Sequence, residues 1–195
     1  DAPSTESHWS KTLRMLEALG AAEFELAFAG LLHEIPATAP PVDPAECLKT
    51  RAERNAHTVW GICRRLRLSN QQTERICWLV RHRHHLLDAP HLPLHELKRL
   101  LSEPYAGELI ALNRAEAVAA GDDLAAVEFS ERYLRETPPA EINPPPLITG
   151  DDLIARGLKP GKQFKKILDA VRDRQLDGEI PERVVTPGRY NTITF

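Results

Sequence analysis

The sequence predicts an all-α protein, built as a multi-helix body, a proline-rich linker and a small helical tail. Three observations carry that expectation. Apolar residues recur at three- and four-residue intervals along most of the chain, which is the spacing of one helix face. No stretch of useful length alternates apolar and polar residues as a half-buried strand does. Twice, a hydroxyl residue stands three positions before an amide or acid residue ahead of an apolar run, the pattern that satisfies free N–H groups at a helix start.

Taken in order, Leu13, Leu16 and Leu19 predict a first helix, and Phe24, Ala27, Phe28, Leu31 and Leu32 a second. The four prolines between Ile35 and Pro44 break the pattern and predict a loop. Val59, Ile62, Cys63 and Leu66 mark a third helix. Ser69 with Gln72 forms a capping box for a fourth, lined by Ile76, Leu79 and Val80. Shorter helical patterns follow at Leu94 to Leu101, Tyr105 to Ala120 and Leu124 to Leu134. The proline run from Thr137 to Pro146 lacks N–H donors and predicts a stiff extended linker. Beyond it, Thr149 and Asp152 make a second capping box, and Gly157 is placed to end that short helix. Pro160-Gly161 precedes a longer helix with Phe164, Ile167, Leu168 and Val171 as its core side. The expected organisation is a body at 1–137, a linker at 138–146 and a tail at 147–195. The last stretch, 186–195, carries no readable signal.

At 195 residues, with 42% hydrophobic and 27% charged, the chain sits near globular averages, which argues against wholesale disorder. Its net charge of -3 excludes a uniformly basic nucleic-acid binder but leaves room for a local basic face. Cys47, Cys63 and Cys77 are odd in number, widely spaced and without a Cys-x-x-Cys pair, which disfavours a disulfide framework or a zinc knuckle. A reducing cytoplasm is the expected home. No apolar run is long enough to span a bilayer, and Asp1 to Ser10 has no signal-peptide character, so no membrane partner is expected. The chain opens on Asp1-Ala2-Pro3 without Met, as a fragment of a longer protein would.

Three stretches resemble one family. The run from Leu147-Ile-Thr-Gly-Asp-Asp through Leu158-Lys-Pro-Gly161 to Ile180 resembles the tail of bacterial CCA-adding enzymes of class II and of poly(A) polymerases. Arg64-Arg-Leu-Arg-Leu-Ser-Asn70, followed by Ile76-Cys-Trp-Leu-Val-Arg-His82, resembles the helical region upstream of that tail. Trp9-Ser-Lys-Thr-Leu13 with Leu31-Leu-His-Glu34 resembles the HD-like part that joins the family's nucleotidyltransferase head to its tail. Together they cover most of residues 8–180. The family extends RNA 3′ ends from CTP and ATP with magnesium, using carboxylates of the head. The Gly-Ser and Asp-x-Asp pattern of that head is not found here, so no catalytic residue and no cofactor are expected in this segment. The resemblance implies an RNA-binding and positioning role in tRNA processing. The implied partners are tRNA or another structured RNA and an N-terminal catalytic head of the same parent. CCA addition and poly(A) addition stay open as parent activities.

By the same resemblance, the HD-like metal positions are degenerate. They fall on Lys11, His33-Glu34 and Glu116 of Arg114-Ala-Glu-Ala117, with Arg51 and Ala52 at the remaining one. An ammonium repels a cation, so Lys11 argues against a working metal phosphohydrolase and against any metal. Lys11 either stands in for the metal by pairing with Glu34 or Glu116, or points to solvent while the backbone satisfies His33. A helical interaction module without RNA binding is a further alternative. His82-Arg-His-His85 with His91 and His95 can be read as a zinc cluster, a phosphate contact or chance clustering. Asp122-Asp123 and Asp151-Asp152 read as helix-start carboxylates.

Between Lys49 and His85 stand nine basic residues against Glu53 and Glu74, a local excess of seven. Arg64, Arg65, Arg67, Arg81 and Arg83 are the expected phosphate contacts there, because a guanidinium fork meets phosphate oxygens bidentately. The alternative is a solvated face paired with acidic neighbours elsewhere. Lys159 and Lys162, at the start of the tail's longer helix, are the expected contacts of the second part.

Overall fold

The computed structural model describes residues 8–34 and 48–180. The loop expected at Ile35 to Pro44, Cys47 and the stretch 186–195 lie outside the described residues. The elements are α1 (His8–Leu19), α2 (Phe24–Leu32), α3 (Leu48–Arg65), α4 (Asn70–His82), a 3-10 turn (Ala89–His91), α5 (Leu94–Leu101), α6 (Ala106–Ala120), α7 (Ala125–Glu136), α8 (Pro139–Ile142), α9 (Gly150–Ala155) and α10 (Lys162–Leu176). No strand occurs among the described residues, and the fold is all-α.

The chain forms two compact units. Among the described residues, one holds 8–34 and 48–92 together with Leu100–Pro138, and the other holds Pro93–Arg99 and 139–180.

In the first unit α4 is the central helix and packs on α2, α3 and α6. Ile76, Leu79 and Val80 on α4 are fully buried, as are Leu109 and Leu112 on α6 and Val59 on α3. Each such side chain contributes roughly 1.5–3 kcal/mol when removed from water. The buried stripe of α3 is Ala52, Ala56, Val59 and Cys63, and Leu66, expected on it, is 54% exposed. Leu13 of α1 is likewise exposed, while Met15 beside it is buried. Gly30 lets α1 approach α2 closely, since a Cβ there would sit 3.1 Å from Leu19 Cδ1 and 3.3 Å from Met15 Cε. Arg75 then ties α4 to its neighbours, donating to Glu23 at 2.6 Å and to Glu108 at 2.7 Å, with Glu25 at 3.5 Å.

Both expected capping boxes form. Ser69 Oγ accepts from the Gln72 N–H while the Gln72 side chain accepts from the Ser69 N–H, which starts α4. Thr149 and Asp152 do the same for α9. Asp123 accepts from the Ala125 N–H at 3.0 Å at the start of α7.

The proline run is not extended throughout, contrary to its composition. Pro139–Ile142 makes one helical turn, closed by the Asn143 N–H on the Pro139 carbonyl at 2.9 Å. Proline at a first helical position loses no hydrogen bond and already has the required φ, so the run accommodates that turn. In this second unit Arg172 donates to the Pro144 carbonyl at 2.6 Å and Gln175 to the Pro145 carbonyl at 2.7 Å, fastening the prolines to α10. Gln175 and Leu176 are the buried residues of α10; Phe164, Ile167, Leu168 and Val171 are half-buried. Leu168 and Val171, with Leu147 and Ile148, line an apolar cleft of about 340 Å³.

Candidate nucleic-acid interface

Three exposed arginines stand within four positions where α3 ends. Its buried stripe faces α4, which leaves the opposite side of its last turn to Arg64 and Arg65, both exposed. Cationic side chains there also suit the negative end of the helix dipole. The chain then turns through Arg67, which has φ 59 and occupies the left-handed position normally taken by glycine. The Arg67 N–H donates to the Arg64 carbonyl at 3.1 Å and the Leu68 N–H to the Cys63 carbonyl at 3.1 Å, closing the helix. Arg64 also donates to Asn70 Oδ1 at 3.2 Å, so its head is held by a neutral partner. Among the described residues, none of the three guanidinium groups is paired with a carboxylate. Arg81 is exposed as well, but it stands in the last turn of α4, eleven residues on from Asn70 and about 16 Å along the helix axis.

Two aromatic side chains share this face. Trp60 is 51% exposed, Arg64 lies over its ring at 5.8 Å from the centroid, and the His57 ring is nearly parallel to it, 13° off with centroids 6.4 Å apart. The sequence reading passed over both. The signal was available: positions 57, 60 and 64 share one helix face, offset from the buried 52, 56, 59 and 63.

Two arginines of the basic segment point inward instead. Arg75 is spent on Glu23, Glu25 and Glu108, and its hydrogen bonds to Glu108 and then Glu23 hold its pKa above the ordinary value. Arg83, expected as a phosphate contact, is only 3% exposed. Its guanidinium donates to the His33 carbonyl at 2.8 Å and to His84 Nε2 at 2.9 Å, with Glu34 at 3.7 Å and Glu116 at 4.0 Å. A guanidinium so enclosed cannot meet RNA. Burial lowers its pKa and Glu116 and Glu34 oppose that shift, so arginine stays charged.

The same cluster contains three of the residues expected at degenerate HD-like positions. His33, Glu34 and Glu116 do converge, and Arg83 occupies their centre. Lys11 is exposed on α1, the alternative in which it points to solvent while the backbone satisfies His33, and Arg83 is the cation beside Glu34 and Glu116. The His33 Nδ1–H donates to the Gly30 carbonyl at 2.6 Å, and burial followed by the Arg83 charge keeps its pKa below the usual histidine range. His84 accepts from Arg83 and is therefore neutral; burial, then Arg83 and Arg51, hold its pKa down to about 4. A divalent ion does not fit among these groups, because the fixed positive charge of Arg83 already fills the space between the carboxylates. No group of three or more His, Cys, Asp or Glu is placed to hold a metal ion among the described residues.

The His82 and His85 rings lie 5.0 Å apart, and the remaining histidines meet other partners. The His82 Nδ1–H donates to the Trp78 carbonyl at 2.8 Å, and His91 pairs with Asp88 at 2.6 Å. His95, in the second unit, meets Asp177 through both its backbone N–H and its ring, each at 2.8 Å. Arg114 is tied to Glu131 by two bonds of 2.7 and 2.6 Å. Cys63 and Cys77 are buried free thiols; burial raises both, and Cys77 is pushed up to about 11 with Cys63 adding to the shift. They are protonated and inert at neutral pH.

In the second unit Lys159 and Lys162 are exposed, with Lys165 and Lys166, around the first turns of α10. Gly157, at φ 82, ends α9 and turns the chain toward them. No helix among the described residues is long and apolar enough to cross a membrane. No family model matches the chain, and no curated protein or solved structure matches it.

Proposed function

We propose that this chain binds and positions RNA for a tRNA nucleotidyltransferase, either a CCA-adding enzyme or a poly(A) polymerase. In this reading a head domain of the same parent, with magnesium and CTP or ATP, adds nucleotides to the RNA 3′ end in the cytoplasm. The observation that supports it is the group Arg64, Arg65 and Arg67. Elsewhere Arg75, Arg83, Arg99 and Arg114 are each matched to carboxylates, whereas these three lie exposed together and unmatched among the described residues. In a chain whose net charge is -3, three exposed guanidinium groups within four positions, none matched to a carboxylate, suit a phosphate-binding surface. The resemblance of Leu147 to Ile180 and of Arg64 to His82 to the tail and body of that family supplies the RNA class. Arg81 and Lys159 with Lys162 are secondary contacts on the same reading.

The test is tRNA binding as a function of salt. Affinity should fall steeply as salt rises, and replacing Arg64, Arg65 and Arg67 by Ala should lower the slope of log K against log salt by about 2 to 3. Absence of tRNA binding at low salt, or a slope unchanged by the triple replacement, would overturn the reading.

A further inference from the structure

We infer that His57, Trp60 and Arg64 form a stacking site for an unpaired nucleotide, a proposal that rests on the RNA reading above and sharpens it. An indole left half in water is unusual unless something covers it, because its large apolar faces gain most from burial. Trp60 is 51% exposed on a helix whose neighbouring stripe is fully packed, so the fold itself makes little use of it. His57 presents a nearly parallel ring on one side and Arg64 a guanidinium on the other, at 6.4 and 5.8 Å between centres. Planar aromatic and guanidinium groups in one row are the groups on which unstacked bases settle, since every base has a π-face.

Arg64, Arg65 and Arg67 cluster at the C-terminal end of α3, and Arg51 is exposed near its start beside Glu53. A nucleotide stacked on Trp60 has its phosphates within reach of the C-terminal group. Arg64 is positioned for both tasks, because Asn70 orients its head beside the indole. In a duplex the base faces are covered by their neighbours and only grooves and backbone are offered. The row of planar groups thus serves an unpaired end or loop, and the arginines serve the backbone on either side of it.

The experiment uses the whole chain with two labelled RNAs of equal length, one unstructured single strand and one blunt duplex, read by fluorescence anisotropy at low salt. Trp60→Ala should weaken single-strand binding by about tenfold or more, leave duplex binding unchanged, and be largely rescued by Trp60→Phe. Thermal melts of the variants should match the parent, as expected for an exposed side chain. No loss with Trp60→Ala, or equal loss on both RNAs, overturns the stacking site. If the duplex still binds through Arg64, Arg65 and Arg67, only the stacking site falls; if neither RNA binds the unaltered protein, the RNA reading falls with it.

Discussion

Arg83 and His84 are adjacent in the chain and make opposite demands on protons. The guanidinium must stay charged between Glu34 and Glu116, and its Nε donor needs the lone pair of a neutral His84. Protonating His84 would break that bond and place a second cation against Arg83. The folded pKa of about 4 lies below the value near 6.5 of an unfolded chain, so between those two pH values the unfolded state binds more protons. Stability is therefore complete above about pH 6.5 and is lost as pH falls toward about 4. His33 and His82, both lowered by burial, act in the same direction. Urea midpoints measured from neutral pH downward should decline through that window, and His84→Gln should flatten the decline. An unchanged slope in the variant would mean that His84 is protonated in the fold. None of this was legible from the segment itself. Arg75 and Arg83 look like their exposed neighbours because the carboxylates they meet are distant in sequence: Glu108 lies 33 positions from Arg75 and Glu23 lies 52. For the same reason the sequence left Lys11 open between pairing with Glu34 or Glu116 and pointing to solvent, and did not mark Arg83 as their partner.

Helix ends were the most readable elements because their chemistry is local. Ser69 with Gln72, and Thr149 with Asp152, cap α4 and α9 from within four residues, so sequence alone locates them. Helix faces were read less well. Ala52 and Ala56 carry half the buried stripe of α3, and alanine hardly registers as apolar, so the larger Leu66 drew the face toward solvent. The end of α3 breaks the local rule. Gly121 closes α6 in the same left-handed geometry with no steric cost, whereas Arg67 adopts φ 59 with a full side chain. An L residue there costs about 1 kcal/mol relative to glycine. Arg67→Gly should accordingly raise stability by about 0.5–1 kcal/mol in urea titrations while weakening tRNA binding and lowering the salt slope by just under one phosphate contact. A gain in stability with a loss in affinity marks a residue kept for its charge. If affinity is unchanged, Arg67 does not touch RNA.

At the scale of the whole molecule, the two units are held together internally by different means. The first has a continuous apolar core around α4, whereas the second offers few buried apolar residues, among them Leu97, Ile142, Leu153 and Leu176. A core that small needs polar ties. Arg99 bonds Asp173 at 2.8 Å, Arg172 bonds Asn143 and the Pro144 carbonyl, and Asp177 accepts twice from His95. The bond to the His95 N–H is a helix cap delivered from 82 residues away, since His95 is in the first turn of α5 and that N–H has no partner within the helix. The proline run at 138–146 was read as a linker between body and tail, and nothing in it foretold that Pro93–Arg99 groups with the residues after Pro139, where Arg99 meets Asp173 and His95 meets Asp177. Asp177→Ala removes the cap and the ring contact together and should cost about 1–2 kcal/mol. Hydrogen exchange followed residue by residue should show amides of α10 and of 94–99 exchanging roughly tenfold faster, with those of α3 and α4 unchanged. Uniform acceleration across both units would instead mean that they open as a single cooperative body.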